Sequence, residues 1–239
     1  MRGPHNLWRL IRTGATFERS GAMAQALKAL NAPPSLRIAA HILGWPFKLL
    51  GLRGDLTLPP LTRALTALGP AYIKFGQILS TRPDVVGEEM AEQLKYLQDK
   101  LPPFSMKTAK VLIEKELGIV VDEVFSEFSE PVAAASIAQV HKAKLVSTGE
   151  YMAVKVLRPG IERAFRKDID AFYFAASLIE LLAPSARRLC PTEVISHFEG
   201  VVMAELDLRL ESASASEFAQ NTAQDAGFSV PKPYWTLCS

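Results

Sequence analysis

Lys155 stands in the run Tyr151-Met152-Ala153-Val154-Lys155-Val156-Leu157, an ammonium among apolar neighbours. Such a cation is costly to bury unless an anion or a carboxylate meets it, so the residue calls for a negative partner. Upstream, Pro131-Val132-Ala133-Ala134-Ala135-Ser136 offers side chains small enough for backbone N–H groups to approach a ligand closely, as phosphate-cradling loops must. With Lys155 completing the cradle, the chemistry would be recognition of a polyphosphate. The opposing reading is a tight alanine-rich turn beside an edge-strand lysine whose head reaches water.

The elements that must position these groups are two strands. Ala138 to Val146 and Tyr151 to Leu157 are enriched in Val, Ala and Leu, and Ser147-Thr148-Gly149-Glu150 supplies turn residues between them. A hairpin is expected. Alternation along the second strand puts Val154 and Val156 on one face and Ala153, Lys155 and Leu157 on the other. Earlier in the chain Lys74 and Gln77 are three apart, so a helix would place an ammonium and an amide on one stripe, able to address an anionic ligand or a carboxylate. The plainer reading is that both are solvated.

Three separated signatures now stand in order: Lys74-Phe75-Gly76-Gln77 fits a K-x-G-Q motif, Ala133-Ala134-Ala135-Ser136 an alanine-rich loop, and Glu205-Leu206-Asp207 an E-x-D motif. With the Ala-Val-Lys strand between the second and third, the whole chain resembles the N-terminal part of the UbiB family, atypical protein-kinase-like proteins associated with ubiquinone (coenzyme Q) biosynthesis.

Composition agrees with a folded chain. The 239 residues are 49% hydrophobic, ample for one or two domains. Residues 1–54 hold eight Lys/Arg against Glu18 alone, a local balance of +7 that leaves −5 to the remainder. Such a start suits an anionic surface, and Trp8, Leu10, Ile11, Phe17, Trp45 and Phe47 among the cations favour lipid over nucleic acid. No apolar run reaches the roughly 18 residues of a spanning helix, and no secretory signal is evident, although an Arg-rich amphipathic start could pass for a transit peptide. Cys190 and Cys238 are too few for a disulfide framework and fit a reducing compartment. His5, His41, His141 and His197 lack partners at ligand spacing, so no metal site is expected and each reads as structural or solvated.

In chain order, a short amphipathic helix through Leu7, Leu10, Ile11 and Phe17 precedes a second over Met23 to Leu30 and a break at Asn31-Ala32-Pro33-Pro34. A basic, apolar helix from Leu36 to Leu50 either rests on a membrane or packs on the domain, and Gly51 to Asp55 reads as a linker. Pro70 opens the helix carrying Lys74 to Gln77. Further helices are expected over Val85 to Lys100, from an N-cap at Ser105 to Gly118, over Ile161 to Leu182, and from an N-cap at Thr192 to about Asn221. On that last continuous helix Asp207 and Glu211 would share a face, with Glu205 about 200° from Asp207 and directed elsewhere. Val124 to Phe128 reads as a first strand and Phe228 to Leu237 as a last one. The fold class is therefore α+β, and the resemblance implies a protein-kinase-like small lobe with an antiparallel sheet after an all-helical extension. Its parts are a basic amphipathic region at 1–54, the K-x-G-Q extension at 55–118 and the lobe at 119–239.

The resemblance implies more. Lys155 would contact the α and β phosphates of ATP or ADP, Glu211 would hold that ammonium, and the backbone of Ala133, Ala134, Ala135 and Ser136 would cover the phosphates. Glu205 or Asp207 would meet Lys74, pinning the extension with Gln77 over the cleft and disfavouring ordinary protein phosphorylation. The plainer reading of Glu205 is an i to i+4 surface pair with Arg209. Ligands for Mg2+ are expected in a large lobe absent from these 239 residues, which alone are expected not to turn over ATP. Implied partners are nucleotide, an anionic membrane surface or isoprenoid lipid, and ubiquinone biosynthetic enzymes, at a bacterial inner membrane or, in a eukaryote, the mitochondrial one. The rival reading is a non-catalytic membrane-binding scaffold or regulatory pseudokinase.

Overall fold

The structure, a computed structural model, describes residues 5–29, 34–97, 102–182 and 184–239. The break expected at Asn31 to Pro33 lies outside them. Helices lead: α1 His5–Ser20, α2 Ala22–Ala29, α3 Pro34–Gly44 running into a 3-10 turn at Trp45–Leu50, α4 Pro60–Leu68, α5 Pro70–Ser80, α6 Pro83–Val86, α7 Glu88–Leu94, α8 Met106–Leu117 and α9 Val121–Val124. Three strands follow, β1 Phe125–Ala134, β2 Ala138–Leu145 and β3 Tyr151–Leu157, then α10 Ile161–Leu182, α11 Pro191–Leu206 and α12 Leu208–Asn221. The sheet is antiparallel in the order β1-β2-β3, so the chain is α+β as expected.

Two compact units form, one of residues 1–99 with 163–198, the other of 100–162 with 199–239. They cut the chain differently from the division read at 54 and 118. Helix α8 belongs with the sheet, because Ile113 joins Val121, Phe125, Ala143, Leu145 and Val156 in one buried cluster, with Leu112, Leu117 and Phe104 packed against it. Its ends are set locally. The Ser105 hydroxyl accepts from the Thr108 N–H, and Gly118 takes the left-handed conformation (φ 67°, ψ 28°) that terminates the helix.

In the helical unit the K-x-G-Q helix α5 is a packing hub. Phe75 packs tilted against Phe172 and edge-on against Phe198, Tyr72 meets Phe172 edge-on, and the Tyr72 hydroxyl lies 2.7 Å from that of Thr13. Burial pushes this tyrosine up to about 12. Arg9 of α1 pairs with Asp168 of α10. The supposed linker after the 3-10 turn is no free tether: Gly51 is buried, its carbonyl accepts from Arg19 Nη1 at 2.6 Å, and the Leu52 N–H donates to Thr16 Oγ1 at 3.0 Å.

Several expected elements are corrected. The helix expected over Val85 to Lys100 is divided, because Gly87 at φ 82° breaks it into α6 and α7. The helix expected from Thr192 to Asn221 is likewise two. Asp207 leaves helical geometry (φ −91°, ψ 94°) and its carboxylate accepts from the Arg209 and Leu210 N–H groups, capping α12. Phe228 to Leu237 forms no strand. Pro231 and Pro233 have no N–H to give a ladder, and only a 3-10 turn forms at Trp235–Leu237.

Candidate nucleotide site

The site begins with the register of the sheet. Val140 of β2 pairs with Ala133 of β1 on one side and with Lys155 of β3 on the other, so these three residues form one row across three strands. Directly paired residues project to the same face, and two strand spacings put the row's ends about 10 Å apart. Thus Lys155 and Ala133 share one side of the sheet, while Ala134, paired with Gln139, faces the other. The opposite side carries Val156 into the core.

The small-residue segment differs from the expected loop. Pro131 to Ala134 continue β1, with Pro131 facing His141, Ala133 facing Val140 and Ala134 facing Gln139 through an irregular register. Only Ala135, Ser136 and Ile137 turn the chain. The pairing potential of β2 draws the alanines into the sheet, since nothing in their small side chains opposes extended backbone. The turn is closed by the Ala135 N–H donating to the Ala138 carbonyl at 2.8 Å, and Ser136 is buried.

Lys155 is not sunk in an apolar pocket as its flanking residues suggested. Its side chain is 37% exposed and its Nζ lies 2.5 Å from Glu211 Oε2, on a carboxylate 57% exposed. Strand alternation explains this: the apolar flanks alternate between the two faces and do not enclose the lysine. Glu211 sits in the first turn of α12, aimed there because Asp207 starts a new helix. The expected i to i+4 relation of Asp207 and Glu211 within one helix is therefore replaced by a cap and a first-turn acid. What the arrangement can do chemically is hold an ammonium at a fixed point of the sheet face, oriented by one carboxylate and open to a second anion.

The K-x-G-Q residues are placed otherwise. Gln77 Nε2 donates to the Leu97 carbonyl at 2.9 Å, and Gly76 admits the tips of Leu97 and Leu65, which a Cβ would meet at 2.3 and 2.8 Å. Lys74 is half-buried on α5, as is Glu205 in the last turn of α11. Phe75, Gly76 and Gln77 thus have packing work inside the helical unit.

Sequence reasoning passed over Gln139 of the sheet unit and left His141 open as structural or solvated. Gln139 accepts from the Phe104 N–H (3.0 Å), donates to the Phe104 carbonyl (3.2 Å) and reaches His141 Nε2 (2.9 Å). His141 Nδ1 lies 2.8 Å from the Ser129 carbonyl, which can only accept, so Nδ1 donates and Nε2 accepts from Gln139. The signal was available: 139, 141, 143 and 145 are the inward positions of β2, and the first two are polar. Arg158, just after β3, was likewise passed over; its guanidinium donates to the Ala135 carbonyl of the turn, and burial holds it below its ordinary value.

Residues 96–239 match the ABC1 atypical kinase-like domain, well over half of the chain. The chain belongs to the ABC1 atypical kinase-like family. It is 47% identical over 179 residues to a probable protein kinase UbiB of Azotobacter vinelandii, covering 74% of this chain and 33% of that protein. It is 46% identical over 184 residues (77% and 33%) to the same-named protein of Marinobacter nauticus, and 44% identical over 213 residues (82% and 39%) to that of Pseudomonas aeruginosa. The chain thus matches between a third and two fifths of the length of these curated relatives.

Proposed function

We propose that this chain is the nucleotide-binding small-lobe part of an atypical kinase that supports ubiquinone biosynthesis, through ATP hydrolysis or phosphoryl transfer. The row Ala133–Val140–Lys155 with Glu211 at the lysine carries the reading. Lys155 addresses the α and β phosphates, Glu211 orients it, and the end of β1 with the Ala135–Ser136 turn bounds the phosphates. Among the described residues no three His, Cys, Asp or Glu side chains stand together as a metal site. Titrating the 239-residue chain with ATP and Mg2+ in a calorimeter, alongside a turnover assay, tests this: saturable binding without hydrolysis is expected, and absence of binding would contradict it.

One observation favours the scaffold reading or a membrane role beside the first. Trp8, Ile38, Ile42, Trp45, Phe47 and Leu49 are exposed in the helical unit, while Glu18, the single acid of the first 54 residues, is buried against His41. No helix among the described residues is long and apolar enough to cross a membrane. Exposed apolar side chains interspersed in sequence with Arg37 and Lys48 suit an interfacial contact with anionic lipid. Co-sedimentation with vesicles rich in anionic phospholipid is expected to fall several-fold when Ile42 and Trp45 are both made serine; equal sedimentation of the variant would remove this reading.

A further inference from the structure

The guanidinium of Arg158 bridges two segments of the sheet unit. Its Nε and Nη2 both donate to the Ala135 carbonyl, at 3.0 and 2.9 Å, and its Nη1 donates to the Pro102 carbonyl at 2.9 Å. Its own backbone N–H donates to the Ile137 carbonyl at 2.9 Å. With the Ala135 N–H already given to Ala138, both polar groups of that peptide residue are committed. Only arginine presents a planar fork that can meet one carbonyl with two donors and a second carbonyl with a third.

We propose that Arg158 is a positioning residue for the phosphate site, fixing the Ala135–Ile137 turn relative to Lys155. The two groups then behave as one body. Lys155 and Arg158 are three residues apart at the end of one strand, so the turn clamped by the arginine is held in register with the ammonium. The same side chain ties in Pro102, and Gln139 ties in both polar groups of Phe104. The segment leading into α8 is therefore stitched to the turn, and a displacement of either is felt by the other. The neighbouring Pro159 restrains the backbone at the clamp, since its ring fixes φ.

The inference rests on the nucleotide reading for its consequence, yet its geometry is measurable without nucleotide. In Arg158→Lys and Arg158→Ala proteins, amide hydrogen exchange over 135–137 should quicken about ten-fold, the effect of losing charge-assisted hydrogen bonds. The rest of β2 and β3 should keep its protection. Affinity for a fluorescent ATP analogue with Mg2+ should fall in both variants, and Arg158→Lys matters most because it keeps the positive charge. A loss there comes from geometry and not from weaker attraction to phosphate. If Arg158→Ala fails to fold, Arg158→Lys decides. Unchanged exchange in the turn, or full analogue affinity in Arg158→Lys, would overturn the assignment. Faster exchange in the variants, together with a wild-type protein that binds no analogue, would leave the clamp standing and sink the nucleotide reading instead.

Discussion

Replacing Lys155 with alanine is expected to weaken ATP binding between about ten- and a hundred-fold, the range of one lost charge-assisted contact to phosphate. The fold should scarcely notice. The Lys155–Glu211 pair is solvent-facing, 37% and 57% exposed, and such pairs contribute about 0.2–1 kcal/mol. Calorimetric titration beside a thermal melt separates the two effects. Glu211→Gln should lose less affinity than Lys155→Ala, because the carboxylate only orients the ammonium. Wild-type affinity in Lys155→Ala would mean that the phosphates lie elsewhere.

A second large effect is expected in the helical unit. Gly51→Ala should destabilise the protein by about 3 kcal/mol or more, at the upper end of overpacking costs. A Cβ at that position would lie 2.3 Å from the carbonyl oxygen of Ala15, 2.5 Å from its carbon and 2.8 Å from the Thr16 nitrogen. These are backbone atoms of α1 and cannot rotate aside. The φ of Gly51 is −73°, ordinary for any residue, so close approach and not strain demands the glycine. At Gly76 the obstacles are leucine methyl groups, which can shift, and the cost there is smaller. Chemical denaturation of Gly51→Ala against wild type measures this; an unchanged midpoint would show that the segment 51–52 is not docked on α1.

The hairpin was legible because its strands contain β-formers and its turn contains Ser, Thr and Gly, and the observed β2 and β3 end within a residue of where the sequence puts them. Helix α8 was legible from its caps, Ser105 and Gly118. Other features were hidden for identifiable reasons. Asp207 interrupts a stretch whose helical pattern is continuous on both sides, and an aspartate serves equally as an exposed helix residue or as an N-cap. The alanine-rich segment reads as a loop by side-chain size, whereas its pairing with β2 is a tertiary choice. The apolar neighbours of Lys155 in sequence suggest burial, although alternation along the strand puts it on the face opposite Val154 and Val156. Arg158 before Pro-Gly looks like a solvated turn residue, since nothing local reveals that carbonyls from 102 and 135 converge on it. The docking of Gly51 on α1 depends on residues far apart in the chain, and only its glycine identity hinted at it.

The central claim is that the ammonium of Lys155 reaches nucleotide phosphate. An acyl-phosphate derivative of ATP, which transfers its acyl group to a lysine beside the bound phosphates, reads this directly when the labelled peptide is mapped by mass spectrometry. Lys155 should carry the label, and excess ATP should suppress it. Equal labelling of Lys142, Lys144 and Lys155, unaffected by ATP, would contradict the account.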